Sequence, residues 1–210
     1  MSVSEDRAVT PEVRAAPVAP IADPGPLGLA AFALTTFLLS ADNAHWMNGN
    51  STGDAWLGYA LAYGGIIQLL AGMWEFRNKN VFGATAFATY GGFWIGLFFW
   101  ARLVAPTAPT GTAFLTHDEA WILLAFAIFN TYMLLMASQV NMAVFGVFLT
   151  LELTEIALAI GNFANSPGTV QLGGYLGVVT ALVAWYTSAA GISNGIGGKI
   201  RLPVGKPLVA

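Results

Sequence analysis

The 210-residue chain contains no cysteine, which excludes disulfides, thiolate metal centres and cysteine nucleophiles. Charge is scarce as well. Only 9% of residues are Asp, Glu, Lys or Arg, against ~25% in soluble domains, which argues against a soluble globular fold. The two histidines, His45 and His117, lie far apart in the chain and make a poor ligand set. No metal and no cofactor is expected. No lysine falls inside an apolar run, so a retinal Schiff base is ruled out, and no basic cluster points to nucleic acid. The net charge of −3 is too small to imply an electrostatic partner. No Ser/His, Asp/Asp or metal constellation occurs in the apolar runs, so no enzyme activity is expected.

Apolar sequence is what the chain has in quantity, at 56% of residues. The stretch Asp23 to Asn43 opens with two prolines around a glycine and runs apolar from Leu27 to Leu39, broken only by Thr35 and Thr36. Pro26 suits the first turn of a helix, where a missing N–H costs nothing. A helix from Pro26 to about Met47 would be ~30 Å long, enough to cross a bilayer core. Five more such spans follow: Ala55 to Phe76, Val81 to about Val104, Glu119 to Ser138, Met142 to Ala164 and about Thr169 to Ile192. Short polar turns join them, except for a Pro/Thr-rich loop from Ala105 to Asp118. The fold class is therefore an all-α membrane protein with six transmembrane helices. Residues 23–198 form the transmembrane domain, 1–22 a proline-rich, aperiodic cytoplasmic tail expected to be disordered, and 199–210 a cytoplasmic C-terminal tail. Glu5 and Asp6 stand where a signal peptide would be basic.

Arg7, Arg14, Arg77, Lys79, Lys199, Arg201 and Lys206 all fall on one side of this topology and Arg102 on the other. The positive-inside rule then puts both termini in the cytoplasm. Gly92 and Gly96, Gly173 and Gly177, and Gly191 and Gly195 each present two glycines on one helix face, a device for close packing in lipid. Trp46, Trp56, Trp74, Trp100 and Trp121 lie near span ends, as interfacial belts require.

Polar residues inside spans are costly in lipid and must face protein or water. Glu152 and Glu155 share a side of the fifth helix. A carboxyl there can take up and release a proton during transport or serve as a hydrogen-bonded structural group. Glu155 shares a face with Leu151, whereas Glu152 is rotated ~100° away. Thr35 and Thr36 either bond back to their own helix or face a polar route. Gln68, Asn130 and Asn162 lie within or near spans. Each can be interhelical glue or a ligand site.

The motif DPGPLGLAAFALTT resembles the Asn-Pro-Ala-Pro-Leu-Gly-Leu signature that opens the first helix of the acetate uptake transporters, a family that includes bacterial succinate–acetate transporters. Ala62 to Trp94 and Leu158 to Asn165 resemble two further blocks of that family. Within the signature, spanned here by Asp23, Pro24, Gly25, Pro26, Leu27, Gly28 and Leu29, Asp23 replaces Asn and Gly25 replaces Ala. The resemblance implies six-helix protomers assembled as a hexamer in a bacterial or archaeal plasma membrane. Each protomer would carry acetate and related small carboxylates, including succinate, by proton symport or as an anion channel. It also implies a hydrophobic constriction at Phe32, Tyr90 and Leu151, gating by dewetting. Thr35, Gln68 and Asn162 are assigned to the substrate path, and Glu155 is the candidate for proton coupling. The alternative is a channel for another small solute, such as ammonia or an amide, on a similar scaffold.

Overall fold

The computed structural model describes residues 21–47, 54–108 and 112–209. The expectations for residues 1–20 and for most of the loop after the first span lie outside these residues. Among the described residues, six helices are long and apolar enough to cross a membrane: α1 (Gly25–Asn43), α2 (Ala55–Arg77), α3 (Val81–Thr107), α4 (Thr112–Ala137), α5 (Met142–Phe163) and α6 (Pro167–Gly195). Among the described residues there is no strand. The helices form a ring in which α1 packs along α6, α6 along α5, α5 along α4, and α2 along both α1 and α3.

Helix ends are set by a few residues. The Asp23 carboxylate accepts from Gly25 N at 2.9 Å and so closes the first turn of α1. An asparagine in place of Asp23 would present the same oxygen. At the other end His45 takes φ 63°, and Trp46 N returns to the Ala41 carbonyl at 2.9 Å. The helix therefore stops at Asn43, short of the expected Met47. Lys79 (φ 60°) and Asn165 (φ 48°) turn the chain after α2 and α5 in the same left-handed region. Asn80 and Asn141 cap α3 and α5 by accepting from Gly83 N (3.0 Å) and Val144 N (2.9 Å), satisfying N–H groups that have no helical partner.

Other boundaries differ from expectation as well. Helix α4 begins at Thr112, so part of the expected Ala105–Asp118 loop is helical. Its polar first turns extend past the apolar stretch and dock on the end of α5, where Thr116 bonds to Asn165 and His117 to the Phe163 carbonyl. Helix α6 is longer at both ends than the apolar pattern alone implied. Residues 199–209 are not a free tail. They lie as a strap across the bundle, with Ala143 N donating to Val204 O and Leu208 N to Ser138 O, while Asn194 and Tyr186 bond to its carbonyls.

Close helix approach uses other glycines besides those expected. Among the described residues, a Cβ at Gly92 or Gly96 would meet nothing within 4 Å, so that face is open. About 100° round α3, a Cβ at Gly91 would lie 2.8 Å from Leu69 N, and on α2 one at Gly72 would lie 2.6 Å from Ala88 N. These two seat α2 on α3 almost backbone to backbone.

Candidate functional site

Three cavities lie in line through the bundle. At the end carrying the start of α1, one of about 220 Å³ is bounded by Asp23, Glu75, Asn80 and the strap residue Val204, among others. A middle cavity of about 20 Å³ shares Leu29, Ala86, Phe87 and Phe148 with it and adds Gln68. A far cavity of about 40 Å³ is bounded by Thr36, Ser40, Asn43, Trp94 and Glu155. The helical repeat explains which residues line them. Leu29, Phe32, Thr36, Ser40 and Asn43 form one stripe on α1. Val147, Leu151, Thr154 and Leu158 do the same on α5, as do Ala86, Tyr90, Phe93 and Trp94 on α3.

The residues common to the middle and far cavities are Phe32, Tyr90 and Leu151. All three are buried. Phe32 meets Tyr90 edge to face, with ring centroids 5.7 Å apart, and Phe93, Phe126 and Phe129 surround Tyr90 on its other sides. Such aromatic pairs add ~0.5–1.5 kcal/mol each beyond buried area, which holds the ring in place.

Behind this apolar partition runs a polar chain. The Tyr90 hydroxyl lies 3.2 Å from Glu155 Oε1 and 3.2 Å from Asn130 Oδ1. Asn130 is wholly buried and donates through Nδ2 to the Phe148 carbonyl (2.9 Å) and to Glu152 Oε2 (2.6 Å). Thr131 donates to Glu152 Oε1 at 2.7 Å. Both oxygens of Glu152 are thereby engaged by α4, while Glu155 keeps Oε2 without a partner beside the far cavity. The two glutamates thus do different jobs although they sit one turn apart.

The structure moves two expected path residues elsewhere. Thr35 lines none of the three cavities. Its hydroxyl bonds to the Ala31 carbonyl (3.1 Å) and faces the Tyr59 carbonyl (3.4 Å) at the head of a wide π turn, Ala60–Ile67, in α2. Gly64 leaves it room there. Thr35 is glue between α1 and α2. Asn162 is buried near the end of α5, also outside these cavities. Gln68 does line the middle cavity, with Oε1 unpartnered. Thr36, Trp94 and Asn130 complete the site. Thr36 was recoverable from spacing, since it stands four residues after Phe32 and shares its face.

A family model described as the GPR1/FUN34/yaaH family matches residues 6–206. The chain belongs to this family. Among its relatives, acetate permease A of Emericella nidulans is 37% identical over 87% of this chain and 65% of that protein. Ammonia transport outward protein 2 of Saccharomyces cerevisiae is 36% identical over 89% of this chain and 67% of that protein. The chain therefore spans about two thirds of the length of these fungal members. A solved structure of the bacterial acetate channel SatP superimposes with a TM-score of 0.78 at 30% identity, covering 89% of this chain and all of that one. This chain is an integral membrane protein, with six candidate membrane-spanning helices among the described residues.

Proposed function

We propose that this protein transports acetate and related small carboxylates through the three aligned cavities of each protomer. The carrying observation is that Phe32, Tyr90 and Leu151, and no other lining residues, bound both the middle and the far cavity. That is where a hydrophobic constriction has to stand. A dry apolar neck separates two wetter spaces until its side chains move or a solute fills it. The names of the acetate permease and the acetate channel support the choice of solute. Gln68 on one side of the neck and Thr36 on the other offer polar contact to a solute that has lost part of its hydration. Proton coupling in this reading centres on Glu155.

Both termini face the cytoplasm, so the wide cavity under the strap is the inner mouth. The open Gly92–Gly96 face and exposed apolar residues such as Ile128, Leu135 and Leu182 serve lipid and neighbouring protomers of a hexamer in the plasma membrane. Labelled acetate uptake into proteoliposomes, with and without an inside-alkaline pH gradient, tests the function. Uptake above protein-free vesicles, enhanced by the gradient, is expected, and its absence refutes the proposal. Ammonia is the second reading, favoured by the name of one relative and by cavities lined with Asp23, Glu75 and Glu155 but no Lys, Arg or His. Rapid alkalinisation of the same vesicles by an ammonium pulse, without acetate uptake, would select it.

A further inference from the structure

Four residues lining the far cavity each hold a buried polar atom with no partner: Thr36 Oγ1, Asn43 Nδ2, Trp94 Nε1 and Glu155 Oε2. Thr36, Trp94 and Glu155 are 5%, 2% and 3% exposed. Buried polar groups left unpaired are unfavourable, and several around one space point to a ligand that pairs them. Thr36 makes the case most simply. Thr35, Thr131, Thr150, Thr154, Thr180 and Thr187 all return their hydroxyl to a carbonyl one turn back, and Thr36 does not.

Hydrogen counting gives each atom its role. Trp94 Nε1 and Asn43 Nδ2 are donors, and the Thr36 hydroxyl can donate. Asn130 spends its amide hydrogens on Phe148 O and Glu152 Oε2, so its oxygen is the atom facing Tyr90. The Tyr90 hydroxyl has one hydrogen, yet Asn130 Oδ1 and Glu155 Oε1 lie equally near it. Both contacts are satisfied when Glu155 carries a hydrogen on Oε1 and donates it to Tyr90, which donates in turn to Asn130. Glu155 Oε2 then faces the cavity as an acceptor. The cavity offers three donors and one acceptor.

We propose that the far cavity is a binding site for a small monocarboxylic acid in its neutral form. Glu155 Oε2 accepts the acid's hydrogen, and Thr36 and Trp94 donate to its carbonyl oxygen; Asn43 stands about two turns beyond Thr36 on α1, too far to share that oxygen. An ionised carboxylate has no hydrogen to give and would set its lone pairs against Oε2. The volume of about 40 Å³ has room for about three waters, which suits a molecule the size of acetic acid and not a four-carbon diacid. No bond is made or broken. The acid enters with its hydrogen and ionises after it leaves, so no net charge crosses. Tyr90 from α3 and Glu152 from α5 are the titratable groups nearest Glu155; α1 and α4 turn Thr36, Ser40 and Asn130 towards this region, and α6 carries no Asp, Glu, His, Lys or Arg.

The identity of the occupant rests on the transport reading, and the test separates the two. Labelled acetate is bound to the purified full chain across a pH series, with unlabelled acetamide as competitor. Acetamide has a carbonyl beside donor hydrogens but does not titrate. Acetate binding should fall about tenfold per pH unit as the neutral acid disappears, while acetamide should compete with a pH-independent affinity. Thr36→Val and Glu155→Leu should each weaken acetamide binding about tenfold. Glu155→Gln should keep it, because its carbonyl replaces Oε2 and its amide hydrogens serve Tyr90. Should Glu155→Leu fail to fold, Thr36→Val and Trp94→Phe, both close in size to the originals, carry the comparison. Acetate binding that is flat in pH, acetamide that does not compete, or Thr36→Val and Trp94→Phe proteins that bind as wild type would overturn the site. Competition by acetamide in a protein that takes up no acetate would leave the site standing and remove the transport reading.

Discussion

Cavity-facing and packed positions on the same helices lie one residue apart on α1 and three apart on α5, and the difference shows how this bundle separates satisfied polar groups from unsatisfied ones. On α1, Thr35 is consumed by its own helix and by α2, while Thr36 keeps a free hydroxyl at the far cavity. On α5, Glu152 is tied by Asn130 and Thr131, while Glu155 keeps one oxygen free. In both pairs the side chain type is the same. Only its angle around the helix decides whether neighbours or a solute complete it.

The largest effect is expected from breaking the Glu155 side of this contrast. Glu155→Leu should lower acetate uptake by about tenfold or more, through loss of one buried hydrogen-bond partner for the substrate and one for Tyr90. Its packed counterpart Glu152→Leu should act on stability instead, by about 1–3 kcal/mol, since it leaves one Asn130 amide hydrogen without an acceptor while Thr131 keeps the Ala127 carbonyl. Denaturation midpoints set beside initial uptake rates distinguish the two. Equal loss of uptake at equal stability would erase the contrast.

Leu151→Ala sharpens the comparison from the neck. Removing three carbons there should raise lactate uptake relative to acetate, at a stability cost of ~2–5 kcal/mol because Leu151 is buried. An unchanged acetate-to-lactate ratio in a folded variant would remove Leu151 from the path.

The threonine pair comes next. Thr36→Val should cut acetate uptake several-fold with little change in unfolding, whereas Thr35→Val should cost about 1 kcal/mol of stability and leave selectivity alone. Smallest of all is Asp23→Asn, which keeps the oxygen that caps Gly25 and should leave uptake within twofold of wild type when measured at equal protein amounts.

Much of this architecture is legible in the sequence, because lipid demands long apolar helices and punishes stray charge. The six spans and the asparagine turns at Asn80 and Asn141 follow from local rules. Phe32, Tyr90 and Leu151 are reachable only through family resemblance, since nothing in their spacing along the chain brings three separate helices to one point. Two adjacent threonines, Thr35 and Thr36, look alike in a string. The i, i+4 relation to Phe32 would have separated them. Trp94, and the choice between glue and ligand site at Asn130, stay hidden for a deeper reason. Their hydrogen bonds, made or missing, depend on how α3, α4 and α5 converge. Likewise the strap over residues 199–209 is held by backbone groups of other segments, which leave no mark on composition.

The absence of native cysteine makes one measurement especially direct. Ser40→Cys in the far cavity and Ala86→Cys in the middle cavity lie on opposite sides of the Phe32–Tyr90–Leu151 neck. Silver ion, a thiol reagent small enough for a cavity of about 40 Å³, should when applied to right-side-out vesicles modify Ser40→Cys and spare Ala86→Cys, and inverted vesicles should reverse the pattern. Adding Leu151→Ala should let the reagent reach both positions from either side. Modification of both single variants from the same side, with Leu151 intact, would contradict a constriction at this point.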